Sequence, residues 1–172
     1  MNTITRPGLG VDFGRVIQGA PGPDGAEDTA FLSGGRDMAL RSPATEGTFE
    51  VLPRLVERFE GRVWIISKCG ERIQRRTLEW LDFHDFYERT GLPRANVRFC
   101  RKRAQKAIHC AEFGITHMID DRIEVHRAIR ELVPYRYLFG PQRESAPDWV
   151  RPTLTWADVE AAITADTVAV RH

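Results

Sequence analysis

The sequence predicts an α/β fold in which helices cover both faces of a central parallel sheet of about five strands. Short β-branched and aromatic runs alternate along the chain with helical patterns, and this alternation is typical of right-handed β-α-β units. The run RVWIIS at residues 62–67 is almost entirely apolar, as expected of a strand that is buried on both faces. With 172 residues, the chain is long enough for a single domain, residues 1–172, with a continuous core.

Five runs predict the strands, and helical patterns separate them. The strands are predicted at residues 9–13, 62–67, 96–100, 116–120 and 135–139. Apolar residues at three- and four-residue spacing predict helices at residues 48–59, 71–81, 104–113 and 122–132. A last helix is expected to begin at Thr155, because Asp158 completes a capping-box-like pair there.

Residues 19–48 interrupt this alternation of strands and helices. The segment is rich in proline and glycine and shows no clear period. A connection of that length without secondary structure of its own is uncommon in a compact domain. We therefore predict a flap or a small cap-like insertion at residues 19–48.

The composition is that of an ordinary globular protein and excludes several classes of partner. Apolar residues make up 42% of the chain and charged residues 28%. The 25 basic and 24 acidic residues nearly cancel, so the net charge does not indicate nucleic acid or an anionic membrane. No apolar run approaches the roughly 20 residues that span a bilayer, so no membrane partner is predicted.

The cysteines indicate the redox environment. Cys69, Cys100 and Cys110 are odd in number and form no Cys-x-x-Cys pair. Such a set does not suit a disulfide framework, which uses cysteines in pairs. The sequence therefore predicts reduced thiols and a cytoplasmic location.

Polar and charged side chains stand where the predicted strands end. Asp12 belongs to the end of the first strand, Ser67 ends the second, and Asp120 and Asp121 end the fourth. A lysine, either Lys106 or Lys102, follows the third strand. In open parallel sheets ligands bind beyond the carboxyl ends of the strands, so these groups are expected to converge at one edge.

Each of these residue types has a role in phosphoryl transfer. A carboxylate such as Asp12 can attack phosphorus and carry the phosphoryl group covalently. Asp120 and Asp121 suit a Mg²⁺ ion, because adjacent buried carboxylates repel each other unless a cation lies between them. Ser67 can donate a hydrogen bond to a phosphate oxygen, and the lysine can neutralise charge. Singly, each of them is more often a helix cap or a turn residue, and only their order along the chain indicates a site.

Four segments resemble the motifs of the haloacid dehalogenase-like (HAD) hydrolases, in the order of that family. The segment LGVDFGRVI at residues 9–17 resembles the first motif, and VWIIS at residues 63–67 is similar to the second. Lys106 resembles the lysine of the third motif, with Lys102 as the second choice. The segment MIDDR at residues 118–122 resembles the acidic fourth motif.

This resemblance implies a three-layer Rossmann-like fold with the nucleophile strand at its centre. It also implies Mg²⁺-dependent hydrolysis of phosphate esters or anhydrides through an aspartyl-phosphate at Asp12. Asp12, the Gly14 carbonyl, Asp120 and Asp121 would hold or support the metal. Ser67, Lys68, Lys106 and Gly14 would bind the phosphate, with Asp12, Ser67 and Lys106 as the catalytic residues.

The chain departs from the family pattern at Gly14. Phosphatases of this family usually carry a second aspartate two residues after the first, as the general acid and base. Glycine keeps a backbone carbonyl for the metal but cannot protonate a leaving group, and such help is typically worth ~10²–10⁴-fold in rate. Three alternatives remain: a substrate with a good leaving group, a proton donor from elsewhere such as the flap, or a weakly active or inactive protein that binds and recognises phosphate.

The spacing of the motifs bears on the substrate. Between Ser67 and Lys106 there is room only for a helix, a strand and a loop, so the resemblance is to a capless or minimally capped member with an open site. The expected ligand is a phosphorylated small molecule or a nucleotide, and a homodimer is possible because a partner subunit could close the site. The basic run at residues 98–106 could bind a polyphosphate, although such runs are more often solvated helix starts.

Overall fold

The computed structural model describes residues 6–19 and 30–170 and contains a six-stranded sheet flanked by helices. The strands are β1 (Leu9–Val11), β2 (Val63–Lys68), β3 (Val97–Cys100), β4 (His117–Asp120), β5 (Tyr135–Phe139) and β6 (Arg151–Thr153). Their order is β3-β2-β1-β4-β5-β6, and every neighbouring pair is parallel. The predicted parallel α/β architecture is confirmed at this level, and β1 lies inside the sheet.

The sheet has one strand more than the five or so that were predicted, because β6 was not predicted. This strand has three residues, two of them exposed, and it contains Pro152. It lies at an edge of the sheet, where a proline is tolerated because one side of the strand needs no backbone donor. A short, polar, proline-containing edge strand carries no apolar period that sequence patterns can detect.

Eight helices are present in the described part of the chain. They are α1 (Ala30–Ser33), α2 (Arg36–Arg41), α3 (Thr48–Arg58), α4 (Glu71–Phe83), α5 (Phe86–Thr90), α6 (Lys106–Phe113), α7 (Ile123–Ile129) and α8 (Trp156–Val170). The five predicted helices are confirmed within a few residues at each end. The two helices α1 and α2 occupy part of the segment for which no secondary structure was expected, and residues 20–29 of that segment lie outside the described residues. The single-turn helix α5 was also not predicted.

The core lies on both faces of the sheet, as the apolar run in β2 indicates. Val63 and Ile65 pack in one apolar cluster, while Trp64 and Ile66 pack in a second cluster. Successive side chains of a strand point to opposite faces, so these clusters are the two helix–sheet layers. In β1, an added Cβ at Gly10 would lie 2.6 Å from the Met118 sulfur, so a larger residue there would require the Met118 side chain to move.

The described residues contain no helix that is long and apolar enough to cross a membrane. Cys69, Cys100 and Cys110 are all free thiols.

His117 makes the stability of the fold depend on pH. Its ring packs against Phe59 and Tyr135 at centroid distances of 5.1 and 4.5 Å. Burial lowers the pKa of His117 to about 4, from 6.5 for an exposed histidine. The neutral ring therefore stabilises the fold above pH 6.5, and this contribution is lost as the pH falls towards 4.

We expect a His117→Phe variant to lose less stability on acidification than the unaltered protein. The difference in the free energy of unfolding between pH 7 and pH 4.5 should be about 2–3 kcal/mol smaller in the variant. Urea unfolding at the two pH values measures it. Equal losses in both proteins would show that His117 does not titrate in this way.

Candidate functional site

The predicted strand-end residues lie at one edge of the sheet. Asp12 directly follows β1, and its backbone amide donates to the Ile119 carbonyl of β4 at 3.0 Å. Ser67 is the next-to-last residue of β2, and Asp120 is the last residue of β4. Because β1 pairs in parallel with both of these strands, the carboxyl ends of all three meet beside Asp12.

The turn after Asp12 is held from two directions. The Phe13 carbonyl accepts a hydrogen bond from the Ile17 amide at 2.9 Å, which closes the turn on itself. The indole of Trp156, at the start of α8, donates to the Val16 carbonyl at 2.9 Å. These contacts fix the backbone that carries Asp12, so its carboxylate has a defined position at the edge of the sheet.

Lys106 joins two of the predicted acidic residues. Its ammonium nitrogen Nζ lies 2.9 Å from Asp12 Oδ1 and 2.7 Å from Asp120 Oδ2. Lys106 is the first residue of α6, and only 3% of its side chain is exposed. Lys102, the second choice from the sequence, is exposed in the loop before α6. The structure therefore places Lys106, and not Lys102, at the predicted site.

The two adjacent aspartates have different environments. Asp120 is fully buried, and its second oxygen, Oδ1, accepts a hydrogen bond from the Arg122 amide at 2.9 Å. Asp121 and Asp12 both line a cleft at the sheet edge, and their side chains are 12% and 11% exposed. Asp120 is thus placed to hold Lys106, while Asp121 presents oxygens to the cleft together with Asp12.

The carboxylates crowd one another. Burial, followed by the charge of Asp120, raises the pKa of Asp12 well above its ordinary value, and Lys106 offsets this only in part. The same two causes raise the pKa of Asp121. Burial alone would lower the pKa of Lys106, but the charges of Asp12 and Asp120 outweigh it and raise that pKa. The site therefore holds more negative charge than one lysine neutralises.

This acidic cluster fits a hard divalent cation. Carboxylate oxygens of Asp12, Asp120 and Asp121 all lie within 4.8 Å of one another. Oxygens bound to one Mg²⁺ at about 2.1 Å lie at most about 4.2 Å apart, so small side-chain rotations would bring them into range. The raised pKa values of Asp12 and Asp121 also favour a bound cation, because a cation would relieve the repulsion between the carboxylates.

Gly14 also lines the cleft. The bridge that pairs Gly14 with Gln18 uses the Phe13 carbonyl and the Arg15 amide, which donates to the Gln18 carbonyl at 2.6 Å. The carbonyl of Gly14 is not part of this bridge. It is therefore compatible with the predicted role as a metal ligand.

The cleft itself has a volume of about 420 Å³, which is in the range of small-molecule sites. Ser67 and Lys68, predicted to bind phosphate, both line it, with Ser67 buried and Lys68 exposed. Cys69 lines it too, and burial raises the pKa of its thiol, so it does not resemble a reactive thiolate. The structure thus brings all the predicted site residues to the cleft or directly beneath it.

Three arginines of the cleft, Arg15, Arg103 and Arg122, were not predicted as site residues. Arg122 belongs to the segment MIDDR and Arg103 to the basic run at residues 98–106, so both lay within segments that the sequence marked. Arg15 belongs to the segment LGVDFGRVI, but nothing in that segment distinguishes it as a site residue. It follows Gly14 in a left-handed backbone conformation, with φ of 64°, which brings it to the cleft.

The fold and the site together define a parallel α/β protein with a buried aspartate–lysine centre at the carboxyl edge of its sheet. No known family model matches the chain, and no curated protein matches it either. The resemblance to HAD-like hydrolases therefore remains a resemblance of four sequence motifs.

Proposed function

We propose that the protein is a Mg²⁺-dependent phosphatase of the HAD-like type, which transfers a phosphoryl group to Asp12. The observation that carries this proposal is the position of Lys106 between Asp12 and Asp120, beside an open cleft and at the end of an interior strand. A merely structural aspartate–lysine pair does not require a third carboxylate, Asp121, that faces a cleft. The fold alone is compatible with many functions, so the proposal depends on the site.

Asp12 is the nucleophile of the proposed reaction. Its Oδ1 is held by Lys106, which leaves the other oxygen for attack on phosphorus. The new oxygen–phosphorus bond forms as the ester bond breaks, and the leaving oxygen departs with the bonding electron pair and takes a proton from solvent water. Water then attacks phosphorus, so the acyl-phosphate bond breaks, inorganic phosphate is released and the Asp12 carboxylate is restored.

The surrounding residues bind the phosphate and the metal. The Ser67 hydroxyl, Lys68 and the Gly14 backbone line the cleft where the phosphate oxygens would lie, and Lys106 neutralises charge beside them. Asp12, Asp121 and the Gly14 carbonyl would hold the Mg²⁺ ion, with Asp120 as a support through Lys106. The bound ion would withdraw charge from the phosphate oxygens.

A panel of phosphate esters and anhydrides, assayed with Mg²⁺ and with excess EDTA, tests this proposal. Because Gly14 cannot donate a proton, substrates with good leaving groups, such as acyl phosphates and sugar 1-phosphates, should be hydrolysed faster than alkyl phosphates. The activity should disappear with EDTA and return with Mg²⁺. Hydrolysis that is insensitive to EDTA would contradict the proposed metal site.

Gly14 offers a test of the missing acid. An added Cβ at this position meets nothing within 4 Å, and the backbone is not in the left-handed region, so side chains are accommodated. We expect Gly14→Asp to raise the turnover of alkyl phosphates by ~10²–10⁴-fold, because aspartate can protonate the leaving group. Gly14→Asn, of the same shape but without a transferable proton, is the matched control.

The outcome also separates the two candidate functions. A large gain with Asp and none with Asn, starting from near-zero turnover, would favour a protein that binds phosphorylated ligands without hydrolysing them well. Equal rates for the Asp and Asn variants would show that the lack of an acid at this position does not limit the reaction.

A further inference from the structure

The cleft contains more positive charge than a single phosphate group needs. Apart from Lys106, the described residues that line it include four cations, Arg15, Lys68, Arg103 and Arg122. Among the same described residues, the carboxylates of the lining are only Asp12 and Asp121, which belong to the proposed metal site. The wall outside the catalytic cluster is therefore cationic in the part of the chain that is described.

The balance of charges shows what this excess can bind. Three carboxylates and one lysine leave two negative charges in the cluster, and one divalent ion cancels them. A phosphate monoester then brings about two negative charges, which Lys68 and Arg122 can neutralise. Arg15 has an interaction of its own, so Arg103 is the cation of the described lining that remains for a second anionic group on the same ligand.

Arg103 is the cation best placed for that group. It lies in the loop after β3, half-buried, and takes part in no ion pair with the described residues. The loop is held by Gln105, whose side-chain oxygen accepts hydrogen bonds from the Arg101 and Lys102 amides at 3.0 and 2.9 Å. Arg122, by contrast, lies 3.8 Å from Asp121.

The two anionic groups would be bound at different strand ends. Asp12 follows β1 and Arg103 follows β3, with β2 between them. Neighbouring strands lie about 4.8 Å apart, so the backbone ends of β1 and β3 are about 10 Å apart. Arg103 therefore approaches the cleft from a different strand end than Asp12.

The remaining wall of the cleft is apolar. Phe31, Leu32 and Ile73 line it, and Leu32 is 56% exposed although it is a large aliphatic residue. An organic group of the ligand can cover this apolar side of the cleft. A sugar ring or a nucleobase between two phosphates has this combination of properties.

We propose that the cleft selects small molecules with two separate phosphate groups, and that Arg103 binds the phosphate that is not hydrolysed. This inference rests on the proposed function, because it assumes that the first phosphate lies at Asp12. Arg103 would thus be a specificity-determining residue. Nucleoside bisphosphates and sugar bisphosphates share the chemistry that this site requires.

Two matched pairs of ligands test the inference. They are adenosine 3′,5′-bisphosphate with adenosine 5′-monophosphate, and fructose 1,6-bisphosphate with fructose 6-phosphate. With Mg²⁺ present, in at least one pair the kcat/KM of the unaltered protein for the bisphosphate should be at least tenfold higher than its kcat/KM for the monophosphate. Arg103→Gln should lower that ratio by about tenfold or more, as expected for the loss of a charged hydrogen bond, and Arg103→Lys should restore part of it.

Lys102→Gln is the matched control, because it removes a neighbouring exposed cation that does not line the cleft. This variant should have the same ratio of kcat/KM values, bisphosphate to monophosphate, as the unaltered protein. The pair with the larger Arg103-dependent ratio identifies the nucleoside or the sugar as the organic group. The inference is overturned if neither bisphosphate is preferred, or if Arg103→Gln leaves the ratio unchanged.

Calorimetric binding of the same four ligands separates this inference from the proposed function. Tighter binding of a bisphosphate that depends on Arg103, without hydrolysis of any ligand, would refute the phosphatase and support the second anion site. Hydrolysis of all four ligands at similar efficiency, with no effect of Arg103 on binding, would support the phosphatase and refute the second site.

Discussion

Replacing Asp12 by asparagine is expected to abolish the proposed phosphate hydrolysis and, in the absence of metal, to raise the melting temperature of the protein. The loss of activity follows because an amide cannot form the aspartyl-phosphate. The gain in stability follows from the raised pKa of Asp12, since burial and the charge of Asp120 disfavour its ionised form at neutral pH. Asparagine removes that charge and leaves Lys106 paired with Asp120.

The sign of this effect follows from linkage. A carboxyl whose pKa is raised in the folded state contributes stability below its unfolded pKa and loses it as the pH rises through the folded value. The variant should therefore gain stability at pH 7 and little at pH 3.5. For a chain of this size, each kcal/mol changes the melting temperature by about 2–4 °C.

Adding Mg²⁺ should raise the melting temperature of the unaltered protein above that of the Asp12→Asn variant. An ion that binds only the folded state stabilises it by roughly 2.7 kcal/mol at one hundred times its dissociation constant. The unaltered protein should show this rise and the Asp12→Asn variant much less of it. Asp148→Asn, at an exposed position outside the cleft, should change neither property. A melting temperature that falls in metal-free Asp12→Asn would show that the Asp12 charge stabilises the fold.

Replacing Lys106 by methionine has the largest expected effect on stability. The side chain is buried, and its removal leaves the carboxylate of Asp120 inside the protein without a counter-charge. Breaking a buried ion pair on one side typically costs 3–5 kcal/mol. The melting temperature should therefore fall by roughly 6–20 °C, and hydrolysis should be lost. Thermal unfolding followed by circular dichroism measures the change.

A second substitution distinguishes the charge effect from a packing effect. In the Lys106→Met/Asp120→Asn double variant, one of the two carboxylates that Lys106 neutralises is gone, so part of the lost stability should return, although activity should not. Lys102→Met, on the exposed lysine of the preceding loop, should change the free energy of unfolding by less than about 0.5 kcal/mol. If the double variant is less stable than Lys106→Met, the charge account of this site is wrong.

Much of the architecture could be predicted because apolar periodicity specifies buried elements. The strand β2 is buried at five of its six positions, and α3 has an apolar face that is buried in the core, so both were predicted almost to the residue. By contrast, β6 and α5 are short and lack a long apolar period. Their formation depends on neighbours that are distant in sequence, such as β5 for β6.

The residues of the site could be predicted from the sequence, but their arrangement within the site could not. Parallel strands bring their carboxyl ends to one edge, which is why Asp12, Ser67 and Asp120 could be grouped from sequence alone. The choice between Lys102 and Lys106 depends on the path of the loop after β3, which includes a 3-10 turn at Arg103–Gln105. No single sequence specifies that path.

The same limit applies to Asp120 and Asp121. Adjacent residues at the end of a strand look equivalent in a sequence, but the alternation of side chains sends them to different environments. Asp120 points under the sheet edge to Lys106, while Asp121 lines the cleft. Only the register of β4 against β1 decides between them.

Chemical trapping tests most directly whether Asp12 carries the phosphoryl group. The protein is mixed with acetyl phosphate and Mg²⁺, treated with borohydride, which reduces an aspartyl-phosphate to homoserine, and digested for peptide mass spectrometry. Because Gly14 cannot assist the second step, the intermediate should accumulate. We expect homoserine at position 12, and none when Mg²⁺ is omitted. Hydrolysis of the substrate with unmodified Asp12, or with homoserine at another aspartate, would contradict it.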